Sequence, residues 1–305
     1  MTVFSVSHRS CRSGLCELFY RRGTLLLLYD SSATLGGQFS PLNGETLMLQ
    51  KTTLFSILIV LISVAAVSAQ DWRSGIPWEK PAIVTPGEKP GDPPSDAIIL
   101  FNGTDMSEWN KEWSIVNGEL VCVPGRGEIA TKRKFGSVQL HIEFATPAEV
   151  SGRYQGRGNS GVFFGPYEVQ VLDSYDNETY PDGQCASIYK QVPPLVNVCR
   201  KPGEWQTYDI IFNRPELKVE NDKVYVIRPG YITVLQNGVL VINRHEILGT
   251  TWWHRPPAYE AHEPTLPIKL QDHGNNVKFR NIWVREIPDT NVRPEPARAP
   301  YFAGQ

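Results

Sequence analysis

The chain has 305 residues, 41% of them hydrophobic and 10% aromatic, which is enough apolar material for a sizeable buried core. Its net charge is −2 and its isoelectric point about 6.3, so no basic surface calls for nucleic acid or an anionic membrane as partner. The 24 prolines and 25 glycines punctuate short apolar runs, a spacing of strands and turns rather than of helices.

In chain order, the first readable unit starts at Met48. Met48-Leu-Gln-Lys-Thr-Thr53 is a short basic start, Leu54 to Val67 is a continuous apolar stretch, and Val67-Ser68-Ala69 offers a small-residue cleavage site before Gln70. These are the three parts of a secretory signal peptide, placed at residues 48–69. The apolar run falls short of the roughly 20 residues that a membrane span needs. Signal peptides stand at the start of a chain, so Met48 is expected to be the initiator and residues 1–47 an overextended reading frame. The protein is then expected to be exported, periplasmic or extracellular, with no transmembrane segment after cleavage. Residues 70–96 are rich in proline, glycine and charge and read as a linker or extended arm. The tail, 288–305, is similar, which leaves one compact domain over 97–287.

Inside that domain the period is two. Asn117-Gly118 marks an early hairpin, followed by a short strand, Glu119–Val123, with Cys122 as a buried thiol. Ser137–Phe144 alternates strictly: Val138, Leu140, Ile142 and Phe144 face one way, Gln139, His141 and Glu143 the other. Asn159-Ser160-Gly161 opens an apolar strand, with a β-bulge as its structural reading. A bare two-residue turn, Gly165-Pro166, leads into Tyr167–Asp173. There Tyr167, Val169 and Val171 share one face, and Glu168, Gln170 and Leu172 the other. A carboxylate and an amide side by side in mid-strand suggest a sheet face that holds a polar ligand such as a sugar. Trp205–Phe212 is a further strand. Tyr231–Leu235 and Gly238–Asn243 form a hairpin across Gln236-Asn237, and Val277–Val284 is the last strand. About a dozen short strands without a helical period predict an all-β fold, a two-sheet jelly-roll sandwich.

Cysteine usage fits export. Cys11 and Cys16 fall in the doubtful N-terminal segment. Cys185 and Cys199 bracket one loop, and a disulfide between them would close about 15 residues and contribute roughly 3 kcal/mol in the chain-entropy reading. The three remaining cysteines have no zinc spacing. Asn102-Gly-Thr104 and Asn177-Glu-Thr179 match the glycosylation sequon, a match that would mean nothing if the protein were exported by a bacterium.

Five linked motifs then support a family. Leu100-Phe-Asn-Gly-Thr-Asp-Met-Ser-Glu-Trp109, Asn159-Ser-Gly-Val-Phe163, Tyr167-Glu-Val-Gln-Val-Leu-Asp173, Pro202-Gly-Glu-Trp-Gln-Thr-Tyr-Asp209, and Leu270-Gln-Asp-His-Gly274 with Phe279-Arg-Asn-Ile282 occur in this order. Together they resemble the 3-keto-disaccharide hydrolase domain family across nearly the whole compact domain. The resemblance implies a concanavalin A-like lectin/glucanase fold with a concave sugar-binding sheet. It also implies export from bacteria and cleavage of glycosides already oxidised to a ketone at C3. The Cys185–Cys199 loop departs from shorter members of the family and is expected to reshape the rim of the site.

The residue types agree with that chemistry better than with ordinary glycoside hydrolysis. Two carboxyls are needed about 5–5.5 Å apart for retention or about 6.5–9.5 Å for inversion. Glu168 and Asp173 would lie roughly 16 Å apart on opposite faces of an extended strand. Glu143 with Glu168 stays open as a cross-strand pair, as in a retaining laminarinase-type glucanase. A 3-keto sugar needs only one base, one stabiliser of the enolate oxygen and an acid for the leaving group. Glu168 and His273 are the candidates for base and acid. Glu143, Asn159, Gln170, Asp173, Gln271 and Arg280 are candidates for binding substrate. Each also has a plain structural reading: a cross-strand ion pair for Glu168, a satisfied amide for Gln170, a strand-end cap for Asp173, a locked final strand for Arg280. Asp272 is a turn residue or a metal ligand. No cofactor is expected, although the polar face leaves room for a divalent ion. Either Trp252 or Trp253 is placed to stack on a sugar, and His254 and His262 read as surface residues. The rival from another class is a lectin-like module that binds carbohydrate without cleaving it.

Overall fold

The computed structural model describes residues 79–289 and a short antiparallel hairpin, β1 (Phe19–Arg21) with β2 (Thr24–Leu26). That hairpin belongs to a separate compact unit, Met1–Gly75. The expected signal peptide and most of the proline-rich tail lie outside the described residues, as do Cys11 and Cys16. Among the described residues no helix is long and apolar enough to cross a membrane.

The second unit, Ile76–Gln305, is built from strands. They are β3 (Ile98–Phe101), β4 (Ser114–Val116), β5 (Glu119–Val121), β6 (Ile129–Ala130), β7 (Val138–Ala145), β8 (Ser160–Phe164) and β9 (Tyr167–Val171). There follow β10 (Gln206–Asn213), β11 (Glu216–Glu220), β12 (Lys223–Arg228), β13 (Tyr231–Gln236), β14 (Val239–Glu246), β15 (Ile268–Leu270) and β16 (Lys278–Glu286). An eight-stranded antiparallel sheet runs β14-β13-β10-β7-β16-β5-β4, with β3 also on β16; a four-stranded sheet runs β6-β15-β8-β9. β11 and β12 form a ribbon of their own. The only helical pieces among the described residues are two single 3-10 turns, Tyr154–Gly156 and Pro181–Gly183. The fold is thus the expected all-β sandwich of jelly-roll type.

Alternation explains the layers. Val138, Leu140, Ile142 and Phe144 of β7 are completely buried, each stabilising the fold by about 1.5–3 kcal/mol. Across the interior, Phe212 of β10 stacks on Phe164 of β8 at 4.6 Å and lies 6.0 Å from Tyr167 of β9. One polar tie crosses the same core: the buried Tyr208 hydroxyl donates to the Gln170 carbonyl at 2.7 Å.

Three readings are corrected. The β13–β14 turn falls on Asn237-Gly238, one residue later than expected, because both take positive φ (52° and 78°), which that pair tolerates in a two-residue hairpin. Gln236 is instead a buried end of β13, donating to Gln206 Oε1 at 2.8 Å. Leu172 does not share the polar face: β9 ends at Val171, and Leu172 turns into the core. Asn159-Ser160-Gly161 makes no bulge, since β8 and β9 pair in unbroken register from Ser160↔Val171 to Phe164↔Tyr167.

Candidate active site

The outward face of the four-stranded sheet is organised in two rungs. Lys269, Phe163 and Glu168 are register partners across β15, β8 and β9. In the next rung the Gln271 backbone donates to the Gly161 carbonyl at 3.0 Å, and Gly161 pairs with Gln170. A Cβ on Gly161 would stand 2.6 Å from Glu168 Oε1 and 2.7 Å from the Phe163 ring. Glycine is therefore what leaves room for the carboxyl.

β9 is an edge strand, and its free backbone groups need partners. Two loops supply them. Gln170 donates its N–H to the Ser187 carbonyl at 3.0 Å and accepts at its carbonyl from the Ala186 N–H at 2.9 Å. The Glu168 N–H donates to Thr251 Oγ1 at 3.1 Å. The Gln191 amide joins the two loops, accepting from the Leu248 N–H at 2.7 Å and donating to the Gly249 carbonyl at 3.0 Å. The segments that protect the edge become the walls of a cleft of about 520 Å³.

Glu168, Gln170, Asn159, Gln271 and His273 all line this cleft, with Trp252 and Trp253 on its loop side. Four further lining residues carried no sequence signal strong enough to find them: Gln155, Phe163, Tyr189 and Thr251. Tyr189 belongs to the loop between Cys185 and Cys199, the segment expected to reshape the rim, and its hydroxyl meets that of Tyr180 at 2.6 Å. Gln155 sits on a 3-10 turn and accepts from Gln170 Nε2 at 2.9 Å. In its other orientation the Gln170 amide donates to Glu168 Oε1 and to the Ser160 carbonyl, both at 3.1 Å. Asn159 Nδ2 donates to the Gln155 carbonyl at 2.6 Å.

Glu168 is the electrostatic centre. It is 5% exposed, and burial pushes its pKa up to about 8, a shift that the charge of Lys269 only partly offsets. Lys269 is itself committed to Glu128 at 3.1 Å. His273 is exposed at the rim, in a turn fixed by Asp272, whose carboxylate accepts from the Gly274 and Gly127 N–H groups at 2.9 Å. Burial alone would raise the Asp272 pKa, but these backbone donors hold it below the usual range. Asp272 is therefore a turn residue here, and among the described residues no three His, Cys, Asp or Glu side chains come together in a metal-binding group.

Three expected site residues lie elsewhere. Glu143 and Arg280 pair at 2.7 Å on the outer face of the eight-stranded sheet, the consequence of β7 and β16 being neighbours there. Glu143 therefore forms no cross-strand pair with Glu168, which lies in the other sheet. Asp173 is buried against Arg157 at 2.6 Å and lines a separate hollow of about 350 Å³. The second loop also differs from expectation: His262 is half-buried and meets the Tyr167 hydroxyl at 2.6 Å. Cys185 and Cys199 stand as free thiols, both sulfurs within reach of Gln236 Nε2 at 3.6 and 3.4 Å.

The profile of the 3-keto-alpha-glucoside-1,2-lyase-like domain covers residues 96–285. The chain belongs to this family. It is 22% identical over 245 residues to a 3-keto-disaccharide hydrolase of Bacteroides thetaiotaomicron, covering 62% of this chain and 78% of that one. It is 43% identical to a crystal structure of a provisionally assigned glycosyl hydrolase from Parabacteroides distasonis, with a TM-score of 0.65, covering 72% of this chain and 95% of the other.

Proposed function

We propose that the protein is an exported hydrolase that cleaves 3-keto-glycosides by elimination followed by addition of water. The observation that carries this reading is Glu168: one carboxyl, buried in the cleft without an ion-pair partner, with its pKa pushed up to about 8. Such a group is a stronger base than an ordinary carboxylate and is poised near working pH. The lack of a second carboxyl beside it, with Glu143 in the other sheet, disfavours the two-carboxyl glucanase route. The cluster of Glu168, Gln170, Gln271 and His273 about one cleft favours an enzyme over a binding module.

In the proposed sequence Glu168 removes the proton at C2, which the C3 ketone acidifies. The C–H electron pair becomes the C2–C3 double bond of an enolate, with the charge on the C3 oxygen. The ketone re-forms, a C1–C2 double bond appears, and the C1 oxygen leaves, taking a proton from His273. Water then adds: its oxygen bonds to C1 and a proton returns to C2, so the net reaction is hydrolysis. Gln170 and Gln271 serve the sugar hydroxyls and the C3 oxygen. Gln271 Oε1 is buried without a hydrogen-bond partner and so is free to accept from a hydroxyl.

The test is incubation with 3-keto-trehalose and 3-keto-sucrose beside their unoxidised parents, with and without a chelator. Release of free sugars from the keto forms alone is the expected result. Equal cleavage of the unoxidised parents, or none of either, would overturn the proposal. Export is tested separately, by N-terminal sequencing of protein recovered outside the cytoplasm: it should begin at Gln70, and any peptide from residues 1–47 would count against the reading.

A further inference from the structure

We propose that Gln155 is a positioning residue: with Gln170 and Thr179 it forms a reversible row of hydrogen bonds that follows the charge on Glu168. Its use in turnover rests on the hydrolase reading above. The row is laid out by distance. One end of the Gln170 amide stands 3.1 Å from Glu168 Oε1 and 3.1 Å from the Ser160 carbonyl, and the other 2.9 Å from Gln155 Oε1. The far end of the Gln155 amide is 2.9 Å from both Thr179 Oγ1 and the Gly183 carbonyl. An amide has a donor end and an acceptor end and a hydroxyl is both, so such a row can run either way.

Each direction suits one protonation state of Glu168. With the carboxyl neutral, its O–H donates to Gln170 Oε1. Gln170 Nε2 then donates to Gln155 Oε1, and Gln155 Nε2 to Thr179 Oγ1 and the Gly183 carbonyl. With the carboxylate, that orientation would set two acceptor oxygens 3.1 Å apart, so the Gln170 amide turns and its Nε2 donates to Glu168 Oε1 and the Ser160 carbonyl. Gln155 turns with it, giving its Nε2 to Gln170 Oε1 and taking the Thr179 O–H at its own Oε1. The Gly183 carbonyl loses a donor, which weights the row toward the neutral acid. No proton travels along the row; only donors and acceptors exchange. The proposed reaction needs both states in one turnover, since Glu168 takes the C2 proton and a proton later returns to C2.

Only the amide heads are free to turn. Gln170 is buried, and its backbone is tied to Ser187 and Ala186. The Gln155 carbonyl accepts from Asn159 Nδ2 at 2.6 Å. Just before it, Tyr154 takes a φ of 52°, a left-handed conformation that is costly for an aromatic residue. Asn177 clamps that residue, accepting from the Tyr154 N–H at 2.9 Å and donating to its carbonyl at 3.0 Å. The strained turn is what delivers Gln155 to the row.

The other charged or titratable groups facing Glu168 are Lys269 on β15, Tyr180 and Tyr189 from the loops, and His273 at the rim. The test leaves all of them in place. Isotope-edited infrared spectroscopy follows the Glu168 carboxyl band, assigned by its absence in Glu168→Gln, as pH rises without substrate. The wild-type midpoint should lie near 8. Thr179→Val acts two side chains away from Glu168 and changes no charge, yet it removes the O–H that the carboxylate state needs. It should raise the midpoint by about one pH unit, as expected for one hydrogen bond, and Thr179→Ser should restore it. Gln155→Met keeps the bulk and releases Gln170 to donate to the carboxylate, so the midpoint should fall by about as much. Any other pattern, with midpoints unmoved or moved the same way, would overturn the row. Because the titration needs no substrate, the hydrolase reading can fail while the row stands, and the row can fail in a protein that cleaves keto-glycosides.

Discussion

The two sheets each present a glutamate on the face turned away from the core, and the two carboxyls have opposite fates. Glu143 sits on β7 of the larger sheet and Glu168 on β9 of the smaller. Burial alone would raise the Glu143 pKa, but hydrogen bonds from Asn281 at 2.9 Å and Arg280 at 2.7 Å, together with the arginine charge, bring it below the usual range. Glu168 is buried more deeply, has no ion-pair partner, and is pushed up to about 8. A polar residue at an alternate strand position is common to both. What sets the two apart is whether the register brings a cation beside the carboxyl. Arg280 is the cross-strand partner of Glu143, whereas the partner of Glu168 is Phe163, with Lys269 one strand further on and already paired.

The sharpest way to break this contrast is to neutralise each carboxyl in turn. Glu168→Gln should lower kcat/KM on a 3-keto-glycoside by about a thousandfold or more, within the range for loss of a general base, while Glu143→Gln should change it by less than about threefold. Comparable losses in both would abolish the distinction. The pH profile of the wild type carries the same information. With Glu168 as base and removal of the C2 proton rate-limiting, so that the later protonation by His273 does not enter the profile, kcat/KM climbs as pH rises through about 8. A fall through the same midpoint would make the carboxyl the acid.

A smaller loss should follow from Gly161→Ala, which leaves every ionisable group in place. Its Cβ would stand 2.6 Å from Glu168 Oε1, so the carboxyl must swing away. The expected cost is about tenfold to a hundredfold in kcat/KM, with the pH midpoint displaced because the carboxyl has left its buried seat. An unchanged rate and midpoint would mean that the seat is not what sets the chemistry.

Stability should show the contrast with reversed sign. A carboxyl raised from 4.5 to about 8 on folding costs nothing below its unfolded pKa; the cost grows as pH rises and is complete above about 8. Glu168→Gln should therefore raise Tm by on the order of 5–10 °C at pH 9 and leave it unchanged near pH 4. Glu143, with a lowered pKa, contributes stability above its unfolded value of 4.5 and loses it as pH falls. Glu143→Gln should lower stability by roughly 1–2 kcal/mol at pH 7, and the difference should shrink in acid. The two melting curves diverge in opposite directions only if the electrostatics are as described.

Much of this was legible in the sequence, for reasons that differ by residue. The strand β7 declares itself through strict alternation, β10 and β16 as short apolar-rich runs, and the two-rung polar face of β9 through Glu168 and Gln170 in a segment otherwise apolar. Leu172 misled because alternation gives no sign of where a strand stops. Glu143 and Arg280 misled because period-two patterning marks an outward face without saying which sheet it belongs to. The ribbon β11–β12 escaped notice because its strands are charged and largely exposed, so no apolar stripe marks them. Gln155, Tyr189 and Thr251 reach the cleft through turns and loops, where side-chain direction follows no period. Gly161 was visible as a motif, but its reason, the space beneath a carboxyl, exists only once two strands are paired.

The gentlest probe of the contrast acts on the wall between its two halves. Cys185 and Cys199 lie where the cleft's loop meets the larger sheet: the Cys185 thiol is 3.0 Å from the Tyr208 hydroxyl, and both sulfurs meet Gln236. If the protein is exported, oxidation of this pair would cross-link the loop that carries Tyr189 and protects the β9 edge. Treatment with a reductant, or the double change Cys185→Ser with Cys199→Ser, should then lower stability by up to about 3 kcal/mol, a Tm shift of several degrees. Activity should fall by less than about threefold, because the carboxyl's seat is set by β8 and Gly161 rather than by the loop. A loss as deep as that of Glu168→Gln would mean that the wall, and not the sheet face, tunes the buried acid; an unaltered melting curve, with both thiols titrating freely, would show that no cross-link forms.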